Sequence, residues 1–250
     1  MVLARQSAER RLMWITAIAV VIVLLGLAIG WVALRSLLVV PRLVRSEVQA
    51  PSTVSEGSFA VCRGTATEGD EGVIAAPFTG QECLSFEFEV TERQPSFVGI
   101  PWSNDHLDDG VATTTFELDG EYGDLAVDPS PRRFSLDTES TVITVDPRET
   151  PPDRIRRFLD VRGLPSVARW LAVVPLLGTR RFVERRVDPG EEYLVAGKAD
   201  YREGRVTLIG DLVITDRTPW GFALGRLRMA VFPLIVAAVF VATGSWVLLG

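Results

Sequence analysis

The stretch GVIAAPFTGQECLSFEFEV, residues 72–90, opens with small residues, turns at Pro77 and Gly80, and passes through Cys83 into strict alternation. Phe86, Phe88 and Val90 fall on one side and Glu87 and Glu89 on the other, the period-two pattern of a half-buried β-strand. The cysteine at the mouth of that strand admits four readings: nucleophile, disulfide partner, metal ligand or small buried residue.

Outward from this strand the same pattern recurs. SFAVCRGTAT (58–67), CLSFEFEV (83–90), ATTTFELD (112–119), DLAVD (124–128), TVITVD (141–146), RRFVERRV (180–187), EYLVAGKADY (192–201) and RVTLIGDLVITD (205–216) are β-branched or alternating. Turn chemistry separates them at Asp119-Gly120, Pro129, Asp188-Pro189-Gly190 and Glu203-Gly204. Many short strands without βαβ alternation predict a mainly β fold, a small antiparallel barrel or sandwich.

Residues 151–181, PPDRIRRFLDVRGLPSVARWLAVVPLLGTRR, break the pattern. Prolines and an aspartate open a helix, and Ile155, Phe158, Leu159 and Val161 follow at helical spacing beside Arg154, Arg156, Arg157 and Arg162. After Gly163 and Pro165, a second apolar face comprises Val167, Trp170, Leu171, Val173 and Val174. This predicts an inserted helical segment at about 151–179. The preferred role is a helical pair capping one open end of the barrel, since most amphipathic stripes face a core. An interfacial helix, with arginines and tryptophan in a headgroup layer, is the other reading.

Apolar residues cluster at both ends of the 250-residue chain: LMWITAIAVVIVLLGLAIGWVAL (12–34) and MAVFPLIVAAVFVATGSWVLLG (229–250) carry no charge. At about 1.5 Å per residue each is long enough to cross a hydrocarbon core of about 30 Å. The basic tail 1–11, with Arg5, Arg10 and Arg11, also fits a signal peptide. However, the apolar run exceeds the usual h-region of about 7–15 residues, and no A-x-A cleavage site follows Leu34. Two retained transmembrane helices are therefore expected, with both termini on one side and a single domain, residues 46–216, on the other.

Of 26 basic and 32 acidic residues, only Arg5, Arg10, Arg11 and Glu9 precede the first span, so the intervening domain is acidic. That argues against a nucleic-acid partner, which requires a basic face. Lys198 is the only lysine, an archaeal-like acidic composition of the kind found in GC-rich or salt-adapted sources.

The search for chemistry is short. His106, the single histidine, lies in SNDHLDDG (103–110), read as a polar loop in which Asp105, Asp108 and Asp109 offer oxygens to a hard cation without matching an EF-hand spacing. No Walker A or dinucleotide fingerprint occurs. Cys62 and Cys83 are the only cysteines, too few for a four-ligand zinc finger or RING. No catalytic residue, metal ligand or cofactor is expected.

APFTGQECLSFEFEVTER (76–93) resembles the part of the GIDE, or beside-a-membrane (BAM), domain in which a small-Pro-aromatic-x-Gly turn leads to a cysteine opening a long strand; here these are Pro77, Gly80 and Cys83. VCRGTATEG is similar to the family's Val-x-Gly-x-Ala strand on Val61, Gly64 and Ala66. FELDGEYGDLAVDP resembles its hairpin on Phe116, Leu118, Asp119, Gly123, Val127, Asp128 and Pro129. RRFVERRVDPGEEYLVAGKA resembles its late strand pair on Glu184, Pro189, Gly190, Val195 and Gly197.

The resemblance implies kinship with the mitochondrial ubiquitin ligase activator group, whose eukaryotic members place this domain between two helices and follow it with a RING. The expectation is a membrane-anchored, non-catalytic binding or scaffold module lacking that RING, with membrane lipid and an unidentified protein as partners. A ligase-family subunit acting with a separate RING protein is the alternative, and a hydrolase using His106 with a serine or cysteine is the weakest. Cys83 is then expected to be a small buried thiol, with a disulfide to Cys62 as the other option.

On sidedness two arguments oppose each other. Arg35, Arg42, Arg45, Arg217, Arg226 and Arg228 flank the spans on the domain side against Arg5, Arg10 and Arg11 on the other, which favours an inside domain. The flanks of the first helix are tied, and the short basic tail together with the family kinship favours a domain outside, the orientation expected here.

Overall fold

A computed structural model describes residues 2–38, 40–95, 102–120, 123–130, 134–165, 177–202 and 204–249. Two compact units are present: Met1–Ser46 with Pro219–Gly250, and Glu47–Thr218. Helices α1 (Val2–Leu37) and α2 (Val40–Arg45) precede the second unit. In that unit the chain forms β1 (Phe59–Glu68), β2 (Ile74–Ala75), β3 (Glu82–Cys83), β4 (Ser85–Pro95), β5 (Trp102–Thr113) and β6 (Phe116–Gly120). It continues through β7 (Gly123–Val127), β8 (Phe134–Asp137), β9 (Ser140–Val145), α3 (Asp153–Arg162), β10 (Arg180–Val187), β11 (Glu192–Arg202) and β12 (Arg205–Thr215). Helix α4 (Pro219–Leu249) returns to the first unit.

Strands β11, β1, β6, β7 and β12 pair in that order, and β11 with β12 closes the ring into a five-stranded barrel. The expected barrel is therefore present, with one difference: β12 runs parallel to both β7 and β8, which lies beside it outside the ring. Inward-facing Cys62, Ala66, Phe116, Leu118, Val127, Val195 and Leu208 fill the interior. Gly197 sits at a bulge of β11 where a Cβ would meet Leu212 Cδ2 at 2.2 Å, so only glycine lets Leu212 enter the core there.

The stretch 72–90 leads into a second sheet, of order β5-β4-β10-β9, antiparallel throughout. From Ser85 onward its alternation holds as read, although Cys83 belongs to the separate strand β3, paired with β2, and does not open β4. Phe86, Phe88 and Val90 share the face carrying Phe182, while Glu87 stands opposite Arg185 on the other face. Helix α3 covers the apolar face through Ile155, Phe158 and Leu159. Phe78 packs edge-on against Phe158 at 5.0 Å and Phe182 at 5.2 Å, and Phe88 against Phe158 at 5.1 Å. Asp153 and Arg162 complement the two ends of the α3 dipole. Gly163, in the left-handed conformation, ends it, with Leu164 N donating to Leu159 O at 3.0 Å.

Several expectations need correction. The helical insertion caps this second sheet rather than an open end of the barrel, because its apolar face finds the phenylalanine cluster there. Its second apolar face, Val167, Trp170, Leu171, Val173 and Val174, lies outside the described residues. SNDHLDDG is not a loop but part of edge strand β5, whose charged side chains suit a strand with one open side. ATTTFELD is not one strand. It breaks after Thr113, where Thr114 N and Oγ1 both donate to Leu84 O at 2.9 Å, and its halves belong to different sheets.

In the first unit, α1 and α4 pack antiparallel. Ala19, Gly26 and Ala33 on α1, and Ala223, Ala230, Ala237 and Gly244 on α4, are buried and recur every seventh residue. A Cβ on Gly26 would lie 2.9 Å from Phe240 Cβ, and one on Gly244 would lie 2.6 Å from Val23 Cγ2, so the glycines set the close helix approach. A seven-residue period gives such a pair left-handed coiling. Both helices are long and apolar enough to cross a membrane, Met13–Arg35 and Pro219–Leu249, while Trp14, Leu24, Phe232 and Ile235 remain exposed on their outer faces.

Candidate functional site

Residues 184 and 186 on β10, and 188 just past its end, follow one another two residues apart as acid, base, acid. Glu184, 1 % exposed, turns its carboxylate onto the Ala76–Gly80 turn. Oε2 accepts Phe78 N–H at 2.8 Å and Thr79 N–H at 3.3 Å; Oε1 accepts Thr79 Oγ1–H at 2.6 Å and Arg186 Nη1–H at 2.8 Å. A buried carboxylate is tolerable because its acceptor sites are filled by two backbone donors, a hydroxyl and a guanidinium. The turn's carbonyls are held by a second side chain: Arg154 of α3 donates Nη2–H to Ala76 O at 2.9 Å and Nε–H to Pro77 O at 3.1 Å. Gly80, at φ +78°, lies directly under that guanidinium.

Arg186 extends the chain of charges by gripping Asp188 through Nε at 3.0 Å and Nη2 at 3.3 Å. Burial alone would lower the pKa of this guanidinium, but its bonds to Asp188 and Glu184 turn the net shift upward. Asp188 N–H in turn donates to Tyr193 Oη at 3.0 Å. The Tyr193 phenol is pushed up to about 12, chiefly by burial and further by the carboxylates of Asp188, Glu191 and Asp216.

Where the barrel and the second sheet meet, a cavity of about 320 Å³ opens, lined by Arg186, Asp188 and Tyr193 together with Glu139, Glu191, Glu192 and Asp216. Among the described residues its wall has five carboxylates and one guanidinium. Thr138 also belongs to the wall; it is 6 % exposed, and its Oγ1 has no hydrogen-bond partner among the described residues.

The structure brings some sequence-predicted positions together and leaves others apart. Pro77, Gly80 and Glu184 meet in the clamped turn, and Pro189 and Gly190 form the turn after Asp188. Gly64, Phe116, Asp119, Gly123 and Gly197 serve the barrel wall and its turns. Asp128 binds Arg202 at 2.8 Å and Pro129 is buried.

Cys83 is buried on β3, its thiol donating to Ile74 O at 3.4 Å; burial first, then Asp188 and Glu184, pushes it up to about 12. Cys62 lies in the barrel core, pushed up to about 11 by burial. Both thiols are free. Neither has the lowered pKa of a nucleophile. His106 is exposed on β5, 2.9 Å from Asp109.

Sequence reasoning missed Arg154, Arg186, Asp188, Thr138 and Tyr193. For Arg186 and Asp188 a signal existed, since they continue the face of Glu184 two residues at a time. No family profile, curated protein or solved structure matches the chain.

Proposed function

We propose that the chain is a membrane-tethered, GIDE-like binding or scaffold module without catalytic chemistry of its own. The observation that carries this reading is the clamped turn. Two of the four fragments that carry the resemblance, Pro77–Gly80 and Glu184, are joined by hydrogen bonds, so their residue types have a shared physical purpose. Two buried thiols with raised pKa and a surface histidine supply neither a nucleophile nor a zinc-held surface for a ubiquitin-charged enzyme.

The tether is the α1–α4 pair. Trp220, 73 % exposed, and Arg226, stacked over Phe222 at 5.1 Å, stand at the N-terminal end of α4, as interfacial anchors do. Both ends of the β unit continue into this pair, so the unit works at a lipid surface, here assigned to the outer side of the cell membrane. Purified full-length chain mixed with ubiquitin-activating and ubiquitin-conjugating enzymes is expected to transfer no ubiquitin. Zinc-dependent transfer would overturn the reading in favour of a ligase.

A further inference from the structure

We infer that the acidic cavity between the barrel and the second sheet is a recognition pocket for an organic cation, the guanidinium or ammonium of a basic side chain on a partner polypeptide. This rests on the binding-module reading and names what the module binds.

The charge in the cavity is unevenly spent. Asp188 is held by Arg186 at 3.0 Å, Glu192 lies 3.6 Å from Arg63, and Asp216 lies 4.0 Å from Arg217. Glu139 and Glu191 form no ion pair among the described residues. Two further groups offer hydrogen-bonding capacity to a ligand. Thr138, more than nine-tenths buried, has no hydroxyl partner among the described residues, a costly arrangement unless a ligand completes it. The Tyr193 hydroxyl accepts from Asp188 N–H and keeps its own proton unspent among the described contacts.

A bare metal ion does not suit the site. Among the described residues no three acidic, cysteine or histidine side chains converge on one point, and about 320 Å³ is far more than an ion needs with ligands at roughly 2.4 Å. Dispersed carboxylates around a side-chain-sized space match a flat, multi-donor cation instead.

The test is calorimetric titration of Nα-acetyl-arginine amide into the full-length chain in detergent, with the lysine and citrulline counterparts and calcium chloride as comparisons. The expected result is saturable one-to-one binding with a dissociation constant on the order of 1 mM or tighter, and roughly tenfold weaker binding of uncharged citrulline. Glu139→Gln/Glu191→Gln, at exposed positions that leave the fold intact, should weaken arginine binding about tenfold. Thr138→Val should weaken it without lowering the melting temperature, because it removes an unpaired buried hydroxyl.

Equal binding of the citrulline derivative, displacement by calcium, or unchanged affinity in both variants would overturn the inference. If a partner crosslinked to the wild-type chain in native membranes were retained equally by Glu139→Gln/Glu191→Gln, the cavity's role would fall while the module reading stood.

Discussion

Glu184 Oε2 accepts the backbone N–H of Phe78 at 2.8 Å, across 106 residues of sequence. That bond fixes the turn that feeds the 72–90 stretch into its strand, and it places Phe78 against Phe158 and Phe182. Glu184→Gln should therefore destabilise the β unit by about 2–4 kcal/mol, since it removes the charge opposing Arg186 and turns an amide donor toward other donors. Thermal unfolding of the full chain followed by circular dichroism reads this directly. Glu89→Gln, on the opposite face of the same sheet, should stay within about 0.5 kcal/mol of wild type.

Gly80 and Gly190 share a left-handed backbone, φ +78° and +85°, but not their surroundings. A Cβ at Gly190 meets nothing within 4 Å among the described residues, whereas one at Gly80 would lie 2.6 Å from Arg154 Cζ. Gly190→Ala should cost about 1 kcal/mol, the conformational term alone, and Gly80→Ala about 2–3 kcal/mol because Arg154 must also leave Ala76 O and Pro77 O. In an Arg154→Ala background the Gly80→Ala cost should fall toward that of Gly190→Ala, a coupling that unfolding midpoints of the four chains measure.

These residues also show what a sequence can and cannot disclose. Strand β10 was legible to the residue, because Arg180–Val187 alternates and is bounded by turn residues. Strand β5 was not. An edge strand carrying Asn104, Asp105, His106, Asp108 and Asp109 has no apolar period, and only its pairing with β4 reveals it. The split of residues 112–119 depends on Thr114 reaching Leu84, a tertiary contact with no local mark. Likewise Pro77, Gly80 and Glu184 were recognisable as motif residues, but their mutual hydrogen bonds are visible only when distant segments are folded together. The acidic cavity, assembled from four separate turns and strand ends, left no pattern at all.

Raised thiol and phenol pKa values predict alkaline lability. Cys62 moves from 9.0 to about 11, Cys83 from 9.0 to about 12, and Tyr193 from 10.0 to about 12, each mainly by burial. The folded state holds protons that the unfolded chain releases, so this stability is full below pH about 9 and is lost as pH rises toward 11–12. Unfolding midpoints should fall between pH 8.5 and about 10.5, and less so in Cys62→Ala/Cys83→Ala. At pH 7.5 both thiols should resist maleimide in the native chain and react after denaturation without reductant. Failure of either to label once denatured would indicate a disulfide.

The close approach of α1 and α4 is testable by crosslinking. A Cβ on Gly30 would lie 3.5 Å from Ala237 Cβ, within disulfide range. Gly30→Cys/Ala237→Cys, in a chain lacking Cys62 and Cys83, should oxidise to an intramolecular disulfide in membranes. Adding Gly26→Leu should abolish it by forcing the helices apart.

The central claim, a β unit tethered across a membrane from both chain ends, is tested most directly by single-cysteine accessibility in intact cells. In a chain free of native cysteines, Ser130→Cys in the β unit and Ser7→Cys in the N-terminal tail are each challenged with a membrane-impermeant maleimide before and after lysis. The account predicts labelling of Ser130→Cys before lysis and of Ser7→Cys only afterwards. Labelling of both positions on the same side would contradict it.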